Sequence, residues 1–416
     1  MKVSKHKPAA RIALALAGGG PLGAIYEIGA LCALDEALSG AQINQLDHYV
    51  GVSAGGFIAA ALANGMTPRQ LCTAFIDGAP ASPDYFDPSW LMEPAYDEFV
   101  RRGLMLPGLL AATAWNIATR RVSTMRALEG LAPVLPTGIF SNAQIDIQLT
   151  RMFSQAGRTN DFRALACKLT LVATQLDSAQ AIAFGSPGWD HIPISKAVQA
   201  SSALPGLFPP VAIEGKYYVD GAMKKTLHAS VALDERADLL ICLNPLVPFD
   251  ATAEQQEPAT PAGGQAAPRR IPRITDGGLT SVMSQTFRAM IHSRMELGMK
   301  HYAHAYPQTD IILIEPDHRD PELYLANTFS YAQRKQLAEH AYQQTRQWLR
   351  SHQSDPLASQ LRRHGIALRE DVLEDTTRRL CAPWKSPSRL GQALGTLNEL
   401  MDELSQVVRH AQQQRQ

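Results

Sequence analysis

The sequence predicts an α/β fold: a three-layer α/β/α domain around a mostly parallel sheet, with a helical C-terminal tail. Three observations carry the prediction. Short apolar runs of strand length recur between residues 12 and 314, with helix-length patterns between many of them. Two strand-to-helix junctions, at residues 18–23 and 51–55, are glycine-rich. Beyond residue 356 the strand-like runs give way to a leucine repeat. Strands alternating with helices imply parallel pairing, because each crossover lays a helix on a face of the sheet.

The elements follow in order. Residues 12–17 (Ile-Ala-Leu-Ala-Leu-Ala) are apolar and too short for a helix, hence a buried strand. They run into Gly18-Gly19-Gly20-Pro21-Leu22-Gly23, and a helical pattern extends from Ala24 to Leu38. Residues 46–52 form a second strand before a small-residue helix at 54–64. Further strands fall at 168–174, 181–185, 238–244 and 310–314, and 211–219 reads as a hairpin turning at Glu214-Gly215. Helices are expected at 141–155, 194–202, 279–306 and 331–352. Residues 80–140 break the rhythm: Trp90, Leu91, Met92, Phe99 and then 104–118 are apolar between the pairs Arg101-Arg102 and Arg120-Arg121. That stretch reads either as a core helix pair or as a lid whose apolar underside lines an acyl channel. Residues 250–275, rich in Ala, Pro, Gly and Gln, should form a mobile loop. The expected organisation is a domain over 11–350 and a helical extension over 356–416. In the extension, Leu390, Leu394, Leu397, Met401, Leu404 and Val408 make a heptad seam under three heptads long. It could pack back on the domain, join a homodimer or meet a lipid surface.

The chemistry begins at Ser53, in Gly51-Val52-Ser53-Ala54-Gly55. A serine on a tight strand-to-helix turn is lifted out of the fold as a nucleophile, and the flanking Gly51 and Gly55 let the backbone bend. Upstream, Gly18, Gly19 and Gly20 open a helix, where exposed N–H groups and the helix dipole favour an anion. Such a loop suits the oxyanion formed when a serine attacks an ester carbonyl. Gly18, Gly20 and Gly23 also match a dinucleotide fingerprint. That motif wants an acidic residue closing the next strand; here Asp47 opens the strand and Ser53 closes it, so the oxyanion reading is preferred. A third segment, Tyr217-Tyr218-Val219-Asp220-Gly221, delivers Asp220 at a strand end with a glycine behind it.

With these residues in view, the sequence resembles the bacterial branch of the patatin-like phospholipase family over roughly residues 11–245. The glycine loop, the Gly51–Gly55 serine motif, residues 136–141, the block 200–210 and the Asp220-Gly221-Ala222 turn follow the family's order. The resemblance implies a Ser53–Asp220 dyad without histidine, an acyl-enzyme intermediate and a lipid ester as substrate. It departs at Leu22, where the family usually carries Arg or Lys. Alternatives within enzymes are a triad completed by a later histidine such as His292, an intracellular polyester depolymerase, or an acyltransferase. A weakly active lipid-binding scaffold is the alternative of another class.

Composition sets the remaining bounds. Of 416 residues, 39 are Lys or Arg and 39 are Asp or Glu, so no net field draws the chain to nucleic acid. Five widely spaced cysteines, with no C-x-x-C pair, suit a reducing compartment and no disulfide framework or structural zinc. His301 and His304 lack partners in register for a metal, and no cofactor is expected. Lys2, Lys5, Lys7 and Arg11 before residues 12–17 mimic a signal peptide, but the apolar stretch is too short. A cytoplasmic protein is expected, peripheral at most to a membrane or lipid-body surface, because no run of about 20 apolar residues exists.

Overall fold

The computed structural model describes residues 10–77, 84–86, 88–119, 129–250, 273–324, 331–353 and 356–381. The chain divides into a unit of residues 1–380 and a second of residues 381–416. Most of the segment expected as a mobile loop, the pair Arg120-Arg121 and the heptad seam lie outside the described residues.

Eight strands build the central sheet: β1 (Ile12–Leu16), β2 (His48–Gly51), β3 (Lys168–Gln175), β4 (Ala181–Phe184), β5 (Val211–Ile213), β6 (Lys216–Asp220), β7 (Leu239–Leu243) and β8 (Asp310–Ile314). Their order is β5-β6-β3-β2-β1-β7-β8, with β4 also paired to β3. The five strands from β3 to β8 along this path are parallel, whereas β4, β5 and β6 pair antiparallel. The mostly parallel sheet is thus observed, and its antiparallel end is the hairpin that turns at Glu214-Gly215, both with positive φ.

The first strand explains the layering. Ala13, Ala15 and Ala17 face one way and pack with Leu227, Ala229, Ala232 and Tyr302. Leu14 and Leu16 point to the opposite face by the two-residue period, and both are fully buried. Helix α2 (Ser53–Ala63) packs on β1, β2 and β3, and α1 (Gly20–Ala37) packs on α2. Against α1 lies the 21-residue helix Tyr331–Ser351. The two come close because Gly29 has no side chain; a Cβ there would sit 2.4 Å from the Ala338 carbonyl oxygen.

Two expected boundaries shift. Helix α1 starts at Gly20 rather than Ala24, because Gly20 adopts φ +59° and Pro21 presets the first turn. The domain does not end near residue 350. Residues 367–368 pair with Leu38–Ser39, and the buried Arg346 guanidinium donates to the carbonyls of Val372 and Asp375 at 2.6 and 2.7 Å. These bonds hold residues 356–380 to the first unit, and the division falls at 380/381.

The insertion holds helices at Tyr96–Gly103 and Leu106–Ala118. The second is no core helix, since only Thr113 of it is buried and Leu110, Trp115 and Ile117 are exposed. The first is anchored by buried Glu98, which accepts from Arg102, from the Thr137 hydroxyl and from the Thr137 amide. Arg101 bonds the same carboxylate. Burial opposes the charge on Glu98, yet these donors hold its carboxyl well below the usual range, at about 2. No helix among the described residues is long and apolar enough to cross a membrane.

Candidate active site

Ser53 is the first residue of α2 and has φ +53°, a left-handed conformation that a serine adopts at a cost. The conformation is held from outside the turn. The Ser53 amide donates to Ser201 Oγ at 2.8 Å, and that hydroxyl donates to the Val172 carbonyl at 2.6 Å. Ser201 and Val172 are both buried, so the elbow is bolted to β3 through a helix end. The flanking glycines act differently from the sequence expectation of bending. Neither has positive φ; both permit close approach. A Cβ on Gly51 would sit 2.5 Å from Gly56 Cα, and one on Gly55 would sit 2.5 Å from the Ala17 carbonyl oxygen.

Asp220 ends β6 in register with Ala173 of β3, and its amide donates to the Ala203 carbonyl at 2.9 Å. Its carboxylate accepts the Ala222 amide at 2.8 Å, and the Ser53 side chain is close enough to favour its charged form. Gly221 must lack a side chain, because a Cβ would lie 2.2 Å from the Val172 carbonyl oxygen. Burial pushes the Asp220 carboxyl up to about 6, and Ser53 and the Ala222 amide only partly offset that. The nearby His228 is buried, held down to about 4 by desolvation and thus neutral at pH 7; it contacts the Gly221 carbonyl rather than the Ser53 or Asp220 side chain. His292 meets Glu315 and His318 instead, so it does not complete a triad with Ser53 and Asp220.

The glycine loop divides its roles. Gly18 was expected among the oxyanion donors, but its N–H donates to the Thr226 carbonyl at 3.1 Å. Gly18 instead makes room: a Cβ there would stand 3.1 Å from Ser53 Cβ. Gly19 and Gly20 have no acceptor for their N–H groups among the described residues, and both stand at the start of α1. Gly19 and Gly23 are packed against Pro245, whose Cγ would lie 2.7 and 2.9 Å from a Cβ at either position. Leu22 sits half-buried in the first turn of α1.

The family model described as Patatin-like phospholipase matches residues 14–233, more than half of the chain. The chain belongs to the patatin-like phospholipase family. Among solved structures it is similar to VipD from Legionella pneumophila, at 17% identity and a TM-score of 0.38, covering 83% of this chain and 67% of that one. It is also similar to the type III effector protein ExoU, at 14% identity and a TM-score of 0.35, covering 83% of this chain and 53% of that one. The chain therefore spans about half the length of ExoU. Full-length ExoU from the type III secretion system of Pseudomonas aeruginosa, solved with SpcU, aligns at 18% identity and a TM-score of 0.23 over 47% of this chain and 38% of that one. For a member of the patatin-like phospholipase family, the glycine loop, the serine and the aspartate fall within the matched span, and family membership supports lipid hydrolase activity. The residues that sequence reasoning did not single out are Ser201 and Thr226. Ser201 bridges the Ser53 amide to the Val172 carbonyl and Thr226 accepts the Gly18 amide, contacts that only folding creates; the serine doublet Ser201-Ser202 was the one visible hint.

Proposed function

We propose that the protein hydrolyses a carboxylic ester of a lipid, as a phospholipase A or lysophospholipase does, through a Ser53–Asp220 dyad. Ser53 Oγ attacks the ester carbonyl as its proton passes to Asp220. The carbonyl oxygen becomes an oxyanion that the Gly19 and Gly20 amides receive. Collapse of the tetrahedral adduct expels the alcohol, which takes the proton back from Asp220. Asp220 then draws a proton from water, the hydroxide oxygen attacks the acyl-enzyme, and the fatty acid leaves as Ser53 is regenerated. The observation that carries the reading is the convergence of three segments: a Cβ on Gly18 would touch both Ser53 Cβ at 3.1 Å and Ala222 Cβ at 3.3 Å, and the fully buried Asp220 carboxylate beside them is favoured in its charged form by Ser53. A solvated aspartate, near pKa 3.9, is a poor base; one raised toward 6 is better matched to a hydroxyl proton and still ionised at neutral pH.

The substrate class has its own support. Leu204 follows the residue that holds the Asp220 amide, Met223 follows the aspartate turn, and Ile139 pairs its backbone with Leu207; all four side chains are exposed. Together with the exposed apolar helix at residues 106–118, they suit a lipid surface, peripherally bound. A fluorophosphonate probe tests the enzyme reading directly. Wild type should be labelled and Ser53→Ala should not, with hydrolysis of a lipid ester falling on the order of 10⁴-fold or more. Labelling that survives Ser53→Ala sinks the assignment.

A further inference from the structure

Beyond the carboxyl ends of β7 and β8, three side chains converge that sequence spacing did not bring together. His292 comes from the long helix Gly278–Ala305, Glu315 from the residue after β8, and His318 from the turn that follows. One donor atom from each lies within 4.8 Å of the others. The two imidazoles stand edge to face with centroids 4.7 Å apart. His292 Nδ1 is buried without a hydrogen-bond partner among the described residues. It faces Glu315 Oε1 at 3.9 Å, which is too long for a hydrogen bond. Fully buried Asn244 donates its Nδ2 to that same carboxylate oxygen at 2.6 Å and so fixes its direction.

We propose that His292, Glu315 and His318 form a Zn²⁺ site that fastens the long helix to the carboxyl edge of the sheet. Two imidazoles with one carboxylate are a donor set suited to Zn²⁺, with water taking the fourth position, whereas Mg²⁺ and Ca²⁺ prefer oxygen donors throughout. Bonds of about 2.0–2.1 Å draw the three donors closer than they stand here, a closure of roughly an ångström that side-chain rotation supplies. The unpartnered His292 nitrogen gains its missing partner, and Asn244 serves as the group behind the ligand that orients it. Pro245, next to Asn244 in the chain, is the residue pressed against Gly19 and Gly23, so the segment that supports the site also borders the glycine loop. The site is separate from Ser53 and Asp220, so its test is independent of ester hydrolysis.

The full chain, stripped with a chelator, is titrated with Zn²⁺ by calorimetry and by thermal melting. One site per chain is expected, with a rise in melting temperature that Mg²⁺ does not reproduce. His318→Ala and Glu315→Gln should each weaken binding by about tenfold or more, and Asn244→Ala by about 10–100-fold. A His301→Ala/His304→Ala double variant should bind as wild type does. If the site variants fail to fold, Co²⁺ added to unaltered protein decides: intense visible bands of a four-coordinate ion support the site, and the weak spectrum of the hydrated ion overturns it. Absence of Zn²⁺ binding by wild type, or equal binding by His318→Ala, also overturns it.

Discussion

In the proposed mechanism, Asp220 carries opposing demands at the scale of one residue. As a base it must be ionised, and as a buried group it is destabilised by that charge. Its pKa near 6 in the fold exceeds the ordinary value of 3.8, so the folded state holds the proton more tightly than the unfolded chain does. The favourable linkage is complete below the unfolded value and is lost as pH rises through 6, amounting to about 3 kcal/mol for this fully buried group. Asp220→Asn should therefore lower hydrolysis by about 10²–10⁴-fold. The same variant should melt at a higher temperature than wild type at pH 8, with the gain vanishing toward pH 4. Wild-type activity should fall as pH drops below about 6. A variant that gains no stability at pH 8, with its fold intact by circular dichroism, would show that the carboxylate is not desolvated.

Among the elements, Gly51 and Gly55 serve close contact rather than bending, whereas Gly20 serves its positive φ. Gly55 lets α2 lie directly on the end of β1, so Gly55→Ala drives a methyl into the Leu16 and Ala17 carbonyls, 2.6 and 2.5 Å away. Backbone cannot yield as a flexible side chain can. The expected cost is about 3 kcal/mol, read as a lower urea midpoint with an unchanged slope. Gly65→Ala, at φ +81° with open space around it, provides a contrast: its penalty comes from conformation alone and should be near 1 kcal/mol.

For the whole molecule, charge and apolar exposure point the same way. Formal net charge is zero while the insertion exposes Leu104, Leu110 and Trp115 and the helix Gly278–Ala305 exposes Leu279, Met283 and Phe287. Binding to neutral phosphatidylcholine vesicles should therefore be apolar in character and nearly unchanged between low and high salt. Co-sedimentation measures this, and Leu110→Glu with Trp115→Glu should reduce it severalfold while leaving cleavage of a small soluble ester intact. Binding that salt abolishes would assign the contact to surface cations instead.

Local pattern alone reached far into this protein. The run of residues 12–17 can only be a buried strand, the glycines at 18–20 and the Gly51–Gly55 motif stand at strand-to-helix turns, and Asp220-Gly221 closes a hairpin; each is legible because it depends on neighbours in the chain. Tertiary structure decided what depends on distant neighbours. It gave the Gly18 amide to Thr226, bound Ser53 through Ser201, joined residues 356–380 to the first unit and gathered His292 with Glu315 and His318. Periodicity and turn chemistry report the local backbone, whereas which donor meets which acceptor across the fold is fixed only when the sheet assembles.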